Sequence, residues 1–524
     1  MASETRSEVF SSRWGMLLAM VGMAVGTGNI WRFPRIAASN GGGSFLVTWV
    51  IFLLLWSIPL LILEFGMGKG TRQGAIGSFV QTLGPKFAWM GAWVAWCAVA
   101  IMFYYSVVMG WTIRFLLASI TGAIPSPADQ ASAFWDGFHS TPQALLTHAV
   151  AMALAGFVVS RGVRGIETAA KFLIPSLIVL VVVLAIKALT LPGASEGLAF
   201  LFTPHLSDLA DASIWLEALT QNAWDTGAGW GLILAYAAYL RAGEDTALNA
   251  FLLPAANNTV SLFAGVMVLC TVFSVVPEIV ASLASDPDAL AGYPALAEAV
   301  TSGATLTSEL IQETIFSTGN EGLTFIWMPQ LFARVPWGRF FMLIFFVALA
   351  FAAFTSLIAM VELATRVLRD AGLDRQRAVR LVGIGGFLLG LPSALSLRFL
   401  HNQDFVWGVA LMVSGLFFAT AVVTHGVRRF REEQLNHEHS DIRIGRWWDV
   451  VIGVVVPLEA LVLLAWWFYQ VRGQDLAGWL DPLREANVGT MVMQWGIVLS
   501  VLLLGNRWLA KHTHGIGAAA SGDG

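Results

Sequence analysis

Charged residues are scarce. Lys and Arg total 30 and Asp and Glu 34 among 524 residues, 12% of the chain against 57% hydrophobic, and such a composition cannot cover a soluble globular surface. The net charge of −4 gives no pointer to nucleic acid, and none is expected as a partner. Cysteine is nearly absent: Cys97 and Cys270 stand singly inside apolar runs, which fits small buried hydrophobes rather than a disulfide framework or a thiolate metal centre. The chain also lacks a Walker motif, a nucleophile paired with a base, and a His, Cys and carboxylate cluster at ligand spacing. Nothing therefore points to an enzyme. The opening Met1–Ser12 is polar and has no signal-peptide core, so the first apolar run is expected to insert the chain itself.

What is abundant is apolar sequence of membrane-crossing length. The mean hydropathy is +0.70, and runs near the 20 residues a bilayer demands recur at 13–37, 44–68, 91–121, 143–160, 169–190, 213–240, 252–275, 337–369, 378–397, 404–427, 446–470 and 489–509. These runs predict an all-α polytopic membrane protein of twelve transmembrane helices. Lys and Arg crowd the segments after spans two, four, eight and ten, while 122–142 and 191–212 hold none, so both termini are expected in the cytoplasm. The organisation that follows is a cytoplasmic segment 1–12, spans one to five over 13–190 and an external loop 191–212. Spans six to ten then occupy 213–427 with an external cap at 276–335, followed by a cytoplasmic loop 428–445, two further spans over 446–510 and a disordered tail 511–524. Compact loops suggest a bacterial inner membrane.

Two spans are interrupted where a helix is least expected to be. Gly22, Gly26 and Gly28 with Asn29 sit inside the first span, and Asp225-Thr-Gly-Ala-Gly-Trp-Gly231 inside the sixth. An unpaired backbone group in hydrocarbon costs several kcal/mol, so irregular backbone persists there only where protein, water, an ion or a ligand supplies partners. Breaks five spans apart suggest two five-helix repeats, 1–5 and 6–10, of inverted topology around a midplane site.

Polar residues on these and neighbouring spans are oxygen ligands: Asn29, Asp225, Asn257, Thr355 and Ser356. Such donors suit a hard alkali cation; sodium is the reading, with potassium the open alternative, and Thr355 and Ser356 also have the ordinary alternative of bonding the preceding turn. Asp225 is the sharpest residue, because an ionisable group at a mid-membrane break is costly; it either supplies fixed charge beside a cation or takes up a proton. Arg32 and Asp404, across a cavity mouth, would form a charge-assisted outer gate, with interface anchoring as the alternative for the arginine.

With those residues in view, the chain resembles the neurotransmitter:sodium symporter family. The likeness is carried in family order by Gly28-Asn-Ile-Trp-Arg-Phe-Pro34, Asn40-Gly-Gly-Gly43, Glu64, Tyr104-Tyr105, Gly197-Leu198, Thr203-Pro204, Gly227-Ala-Gly-Trp-Gly231 and Phe354-Thr355-Ser356. The resemblance implies a first sodium held by the Ala24 carbonyl, Asn29, Asp225 and Asn257 together with a substrate carboxylate. A second would use the carbonyls of Gly22, Val25 and Ala352 with the hydroxyls of Thr355 and Ser356. It implies that Tyr105 meets the substrate carboxylate beside the N–H groups of Thr27 and Gly28, that Trp224 forms a lid, and that Arg32 and Asp404 gate the outside. Asp370 with Arg6 or Arg13 would gate the inside, although Phe10 stands where the family carries Trp.

Relatives that depend on chloride bind it near Gln221, Asn257 and Ser261; here Asp225 brings a carboxylate to that neighbourhood, so no chloride requirement is expected. Gly26 stands where monoamine carriers place Asp, which favours a zwitterionic amino acid. Met23, Ile101, Gly227, Trp230, Ser356, Leu357 and Met360 would surround its side chain, suggesting a neutral, hydrophobic one. The expectation is import by sodium-coupled alternating access, in a monomer or homodimer within the lipid bilayer; the alternative is a sodium-coupled carrier of an organic amine or other small osmolyte.

Overall fold

A computed structural model describes residues 8–125, 128–241, 243–436, 442–474 and 476–513. Arg6 and residues 514–524 of the expected tail lie outside them. Among the described residues the regular structure is entirely helical. In chain order, α1 is bent by 53° into Arg13–Ala24 (α1a) and Gly28–Ser39 (α1b). Then come α2 (Gly43–Thr71), α3 (Pro85–Thr121), α4 (Pro142–Ser160) and α5 (Gly162–Leu189). The sixth passage is split into Ala212–Asp225 (α6a) and Leu232–Ala237 (α6b). After it follow α7 (Thr246–Ser285), α8 (Gly338–Asp370), α9 (Arg375–Leu395), α10 (Leu397–His425), α11 (Trp447–Gly473) and α12 (Val488–Leu504).

Among the described residues nine of these helices are long and apolar enough to cross a bilayer, and the bent α1 pair makes ten. The other two passages expected from sequence are shorter for stated reasons. The break divides α6 into pieces of 14 and 6 residues, and α12 has 17.

Helix starts follow local chemistry. Side chains of Ser12, Asp245, Asp374, Ser396 and Asn487 accept backbone N–H groups in the first turns of α1a, α7, α9, α10 and α12, pairing donors that the helix itself leaves free. Several expected boundaries shift. α7 continues to Ser285, ten residues into the segment read as external cap, and that cap holds the short helices Pro294–Thr301, Ser308–Ser317 and Gly319–Glu321. α10 begins at Leu397, so Asp404 lies two turns inside it rather than at its start. The loop expected at 428–445 contains the turn of helix Val427–Phe430 and a wider turn Arg431–Leu435, and the segment 191–212, expected as an external loop, contains the helix Ala194–Phe202.

One apolar core runs through the bundle and takes in buried side chains of α1, α3, α6 and α8 among others. Gly110 lets α3 touch α4: a methyl group there would stand 2.9 Å from the His148 backbone nitrogen. A bundle packed this closely holds the two broken helices in fixed register.

Candidate functional site

The break in α6 needs three glycines for a conformational reason. Gly227, Gly229 and Gly231 all have positive φ, at 74°, 88° and 74°, a region that costs other residues about 1 kcal/mol or more. The amides so freed are not orphaned. Glu64 on α2, fully buried, accepts from the N–H of Gly229 at 2.7 Å and of Leu234 at 3.3 Å. In α1 the chain turns extended at Val25 (φ −71°, ψ 97°) before the wide turn Gly28–Arg32.

Backbone oxygens released by both breaks converge on α7. The Asn257 Oδ1 atom lies 3.3 Å from the Ala24 carbonyl oxygen and 3.0 Å from that of Asp225, and accepts from Asn29 Nδ2 at 2.9 Å. Reversing the Asn257 amide would satisfy both carbonyls but set its NH2 group against that of Asn29. Asp225 stands beside this group at 2% exposure, its Oδ2 taking Gln221 Nε2 at 3.2 Å and Ser261 Oγ at 3.4 Å, its Oδ1 without a donor. The Asn257 Oδ1 atom and the two carbonyl oxygens carry no proton to share with one another, and such a set of crowded oxygens is what a hard monovalent cation neutralises. Asn29 takes an organising part: its Oδ1 accepts from the Gly26 N–H at 2.8 Å and its Nδ2 also reaches Ser261 Oγ at 2.8 Å.

The second expected ion group brings α1a against α8. A Cβ on Gly22 would lie 3.2 Å from the Thr355 Cβ. The Thr355 hydroxyl donates within its own helix to Phe351 and Ala352 at 3.0 and 3.1 Å, leaving its lone pairs free, and Ser356 Oγ donates across to the Met23 carbonyl at 3.2 Å.

Between the breaks lies a cavity of about 80 Å³, room for several waters or one small solute. Ala24, Gly26, Thr27 and Gly28 form one wall, Trp224, Gly227 and Trp230 another, Tyr105 a third and Ser356 with Met360 and Met23 the fourth. The Thr27 N–H and hydroxyl donate to Tyr105 Oη at 3.2 and 3.3 Å. Trp230 packs edge-on against Trp224 with centroids 5.4 Å apart, and its Nε1 donates to the Ala223 carbonyl at 2.8 Å, capping the end of α6a. Ile101 and Leu357 are fully buried behind this wall rather than on it. A methyl group on Gly26 would stand 2.8 Å from Ser356 Oγ and 3.1 Å from Tyr105 Oη. A Gly26→Ala variant is therefore expected to raise the half-saturating solute concentration about tenfold or more while the purified protein stays folded, measured as uptake beside size-exclusion elution.

The gates differ from expectation. Arg32 and Asp404 both line the cavity mouth, yet they form no ion pair with each other. Arg32 instead donates to Gln221 Oε1 at 2.6 Å and lies 3.9 Å from Glu217, two α6a residues one turn apart that reach it before Asp404 can. At the expected inner gate Asp370 is engaged by Arg366 at 3.0 Å and by the Gly74 N–H at 2.5 Å. The N-terminal segment is fastened by its own acid: Glu8 pairs with Arg369 at 2.8 Å and Arg375 at 2.6 Å. Ser11 and Ser12 donate to Glu167 of α5. Burial would raise the Glu8 carboxyl, and the two guanidiniums, Arg375 foremost, more than reverse that, leaving it below the usual range. A depressed acid keeps its contribution above its unfolded value of about 4.3, so this fastening is fully present near neutral pH. Asn320 and Glu321 of the cap also reach the cavity mouth.

The model of the sodium:neurotransmitter symporter family matches residues 7–137 and 136–511. The chain belongs to that family. An uncharacterised sodium-dependent transporter of Methanocaldococcus jannaschii is 31% identical over 476 residues, covering 87% of this chain and 90% of the relative. The sodium-dependent transporter YhdH of Bacillus subtilis is 29% identical, covering 88% and 98%. The crystal structure of MhsT in complex with L-phenylalanine superposes with a TM-score of 0.71 at 27% identity, covering 87% of this chain and 99% of MhsT. As a symporter-family protein it is a sodium-dependent, multi-pass membrane transporter of a small solute and not an enzyme.

Proposed function

We propose that this family member imports a neutral, hydrophobic amino acid with sodium, without needing chloride. The observation that carries the reading is the pair of acceptor and donor surfaces facing one cavity. The carbonyl oxygens of Ala24 and Asp225, Asn257 Oδ1 and the donor-free Asp225 Oδ1 lie on the ion side, while Thr27, Gly28 and the Tyr105 hydroxyl lie on the solute side. A zwitterion's carboxylate can bridge the two, touching the cation and the freed N–H groups at once. The remaining wall of Met23, Trp224, Trp230 and Met360 is apolar, and no carboxylate stands at Gly26 to receive a free amine. A rat relative covering 49% of this chain at 30% identity is described as a sodium-dependent neutral amino acid transporter, and MhsT was crystallised with L-phenylalanine.

In this reading sodium stabilises the broken segments, the amino acid completes the first ion site, and each raises the other's affinity by the same factor. Asp370, Glu8 and their arginines hold the cytoplasmic side until the loaded site opens inward, with both termini inside the cell. A radiolabelled panel of amino acids and amines in proteoliposomes tests it. Accumulation of an apolar amino acid above its equilibrium level is expected in sodium and is lost when choline replaces sodium; accumulation of an amine in preference to every amino acid would overturn it.

A further inference from the structure

The cavity mouth carries a device that the sodium and solute sites do not use. Its outer rim is bounded on one side by Asn320 and Glu321 of the helix Gly319–Glu321 and on the other by Leu400 and Asp404 of α10. Across that gap the Glu321 carboxylate stands 3.4 Å from Nε2 of His401, whose side chain is 51% exposed while that of Glu321 is 18% exposed. His401 thus meets external water on one face and the cap on the other.

The charges around it are unbalanced. Glu321 from the cap, Asp404 from α10 itself and Glu485 from the segment before α12 all act on the imidazole, and Glu217 stands on the opposite wall beside Arg32. Against these four carboxylates are three guanidiniums: Arg32, turned to Gln221 and Glu217; Arg35, bonded to Asn320 at 2.7 Å; and Arg398, paired with Glu485. A protonated His401 supplies the fourth positive charge, and among these groups imidazole is the one whose ordinary titration lies near neutral pH.

We propose that His401 is an external proton sensor whose protonation pins the Gly319–Glu321 helix to α10 and favours the closed outer mouth. The neutral ring offers Glu321 at most one hydrogen bond. The imidazolium makes it a charge-assisted pair across the two elements that must part for a solute to enter. By linkage, closing the mouth raises the proton affinity of His401 by the same factor that protonation favours closure. Because the pair is partly exposed, the effect is modest, about two- to fivefold in the closed-to-open ratio.

Spin labels at Ser317→Cys in the cap and Leu483→Cys before α12, in the full-length protein in nanodiscs with sodium, read the distance across the mouth without any solute. Lowering pH from about 8 to about 6 is expected to raise the ratio of short- to long-distance populations by that factor. His401→Gln is expected to abolish the response and His401→Lys to hold the short distance at both pH values. Glu321→Gln should abolish it as well, and carries the test if the His401 variants do not fold. A pH response that persists unchanged in His401→Gln or Glu321→Gln, its absence from the parent protein, or a long distance in His401→Lys at high pH would overturn the proposal. Since no amino acid enters the measurement, its failure leaves the proposed substrate class standing.

Discussion

An Asp225→Ser variant is expected to lose about tenfold or more of its sodium-driven uptake in chloride-free gluconate medium and to regain much of it when chloride is restored. The parent protein should transport equally in both media. The reason is electrostatic. Two unit charges about 4 Å apart interact by about 4 kcal/mol at an effective dielectric near 20, so removing a carboxylate beside a cation site costs far more than the 1.4 kcal/mol of a tenfold change. Gln221 Nε2 and Ser261 Oγ already point at the carboxylate position, and with a small hydroxyl at residue 225 they can donate to an anion in its place. Asp225→Asn, which fills the space without the charge, is expected to stay inactive in either medium. Equal uptake by Asp225→Ser with and without chloride, or dependence of the parent protein on chloride, would remove the assigned role of this carboxylate.

Much of the architecture was written in local pattern. Apolar runs marked every span, and the glycines at 227, 229 and 231 announced a break because only glycine adopts those three backbone conformations cheaply. Span ends were less legible. Pro85-Lys86 reads as a loop, yet the third span starts there, and Pro277-Glu278 reads as an exit although α7 runs on past it. Hydropathy registers where lipid ends, not where a helix does.

The least legible features were partnerships between distant side chains. Arg32 and Asp404 both reach the mouth, but which acid or amide the guanidinium selects depends on the turn of α6a that carries Glu217 and Gln221. Glu8 meets Arg369 and Arg375 across more than 360 positions, and Asn320 and Glu321 come to the mouth from the segment between α7 and α8. No spacing rule connects such residues, because the connection is made by packing of whole helices.

Glu64 is where fold and site depend on one side chain, and its removal should have the largest structural effect. The glycine conformations that open α6 turn the N–H groups of Gly229 and Leu234 away from helical acceptors, and the buried carboxylate is what receives them. In Glu64→Ala both donors are stranded in low dielectric at about 1–3 kcal/mol each, more because the lost acceptor is a carboxylate. That loss is comparable to a large part of a protein's net stability. Expression of monodisperse protein and uptake are both expected to collapse. Glu64→Gln keeps one acceptor oxygen but places an NH2 group against a backbone donor, so intermediate yield and strongly reduced uptake should follow. Yield and uptake for Glu64→Ala equal to those of the parent would mean that the broken helix finds other partners for its amides, and that the break does not need α2 to hold it open.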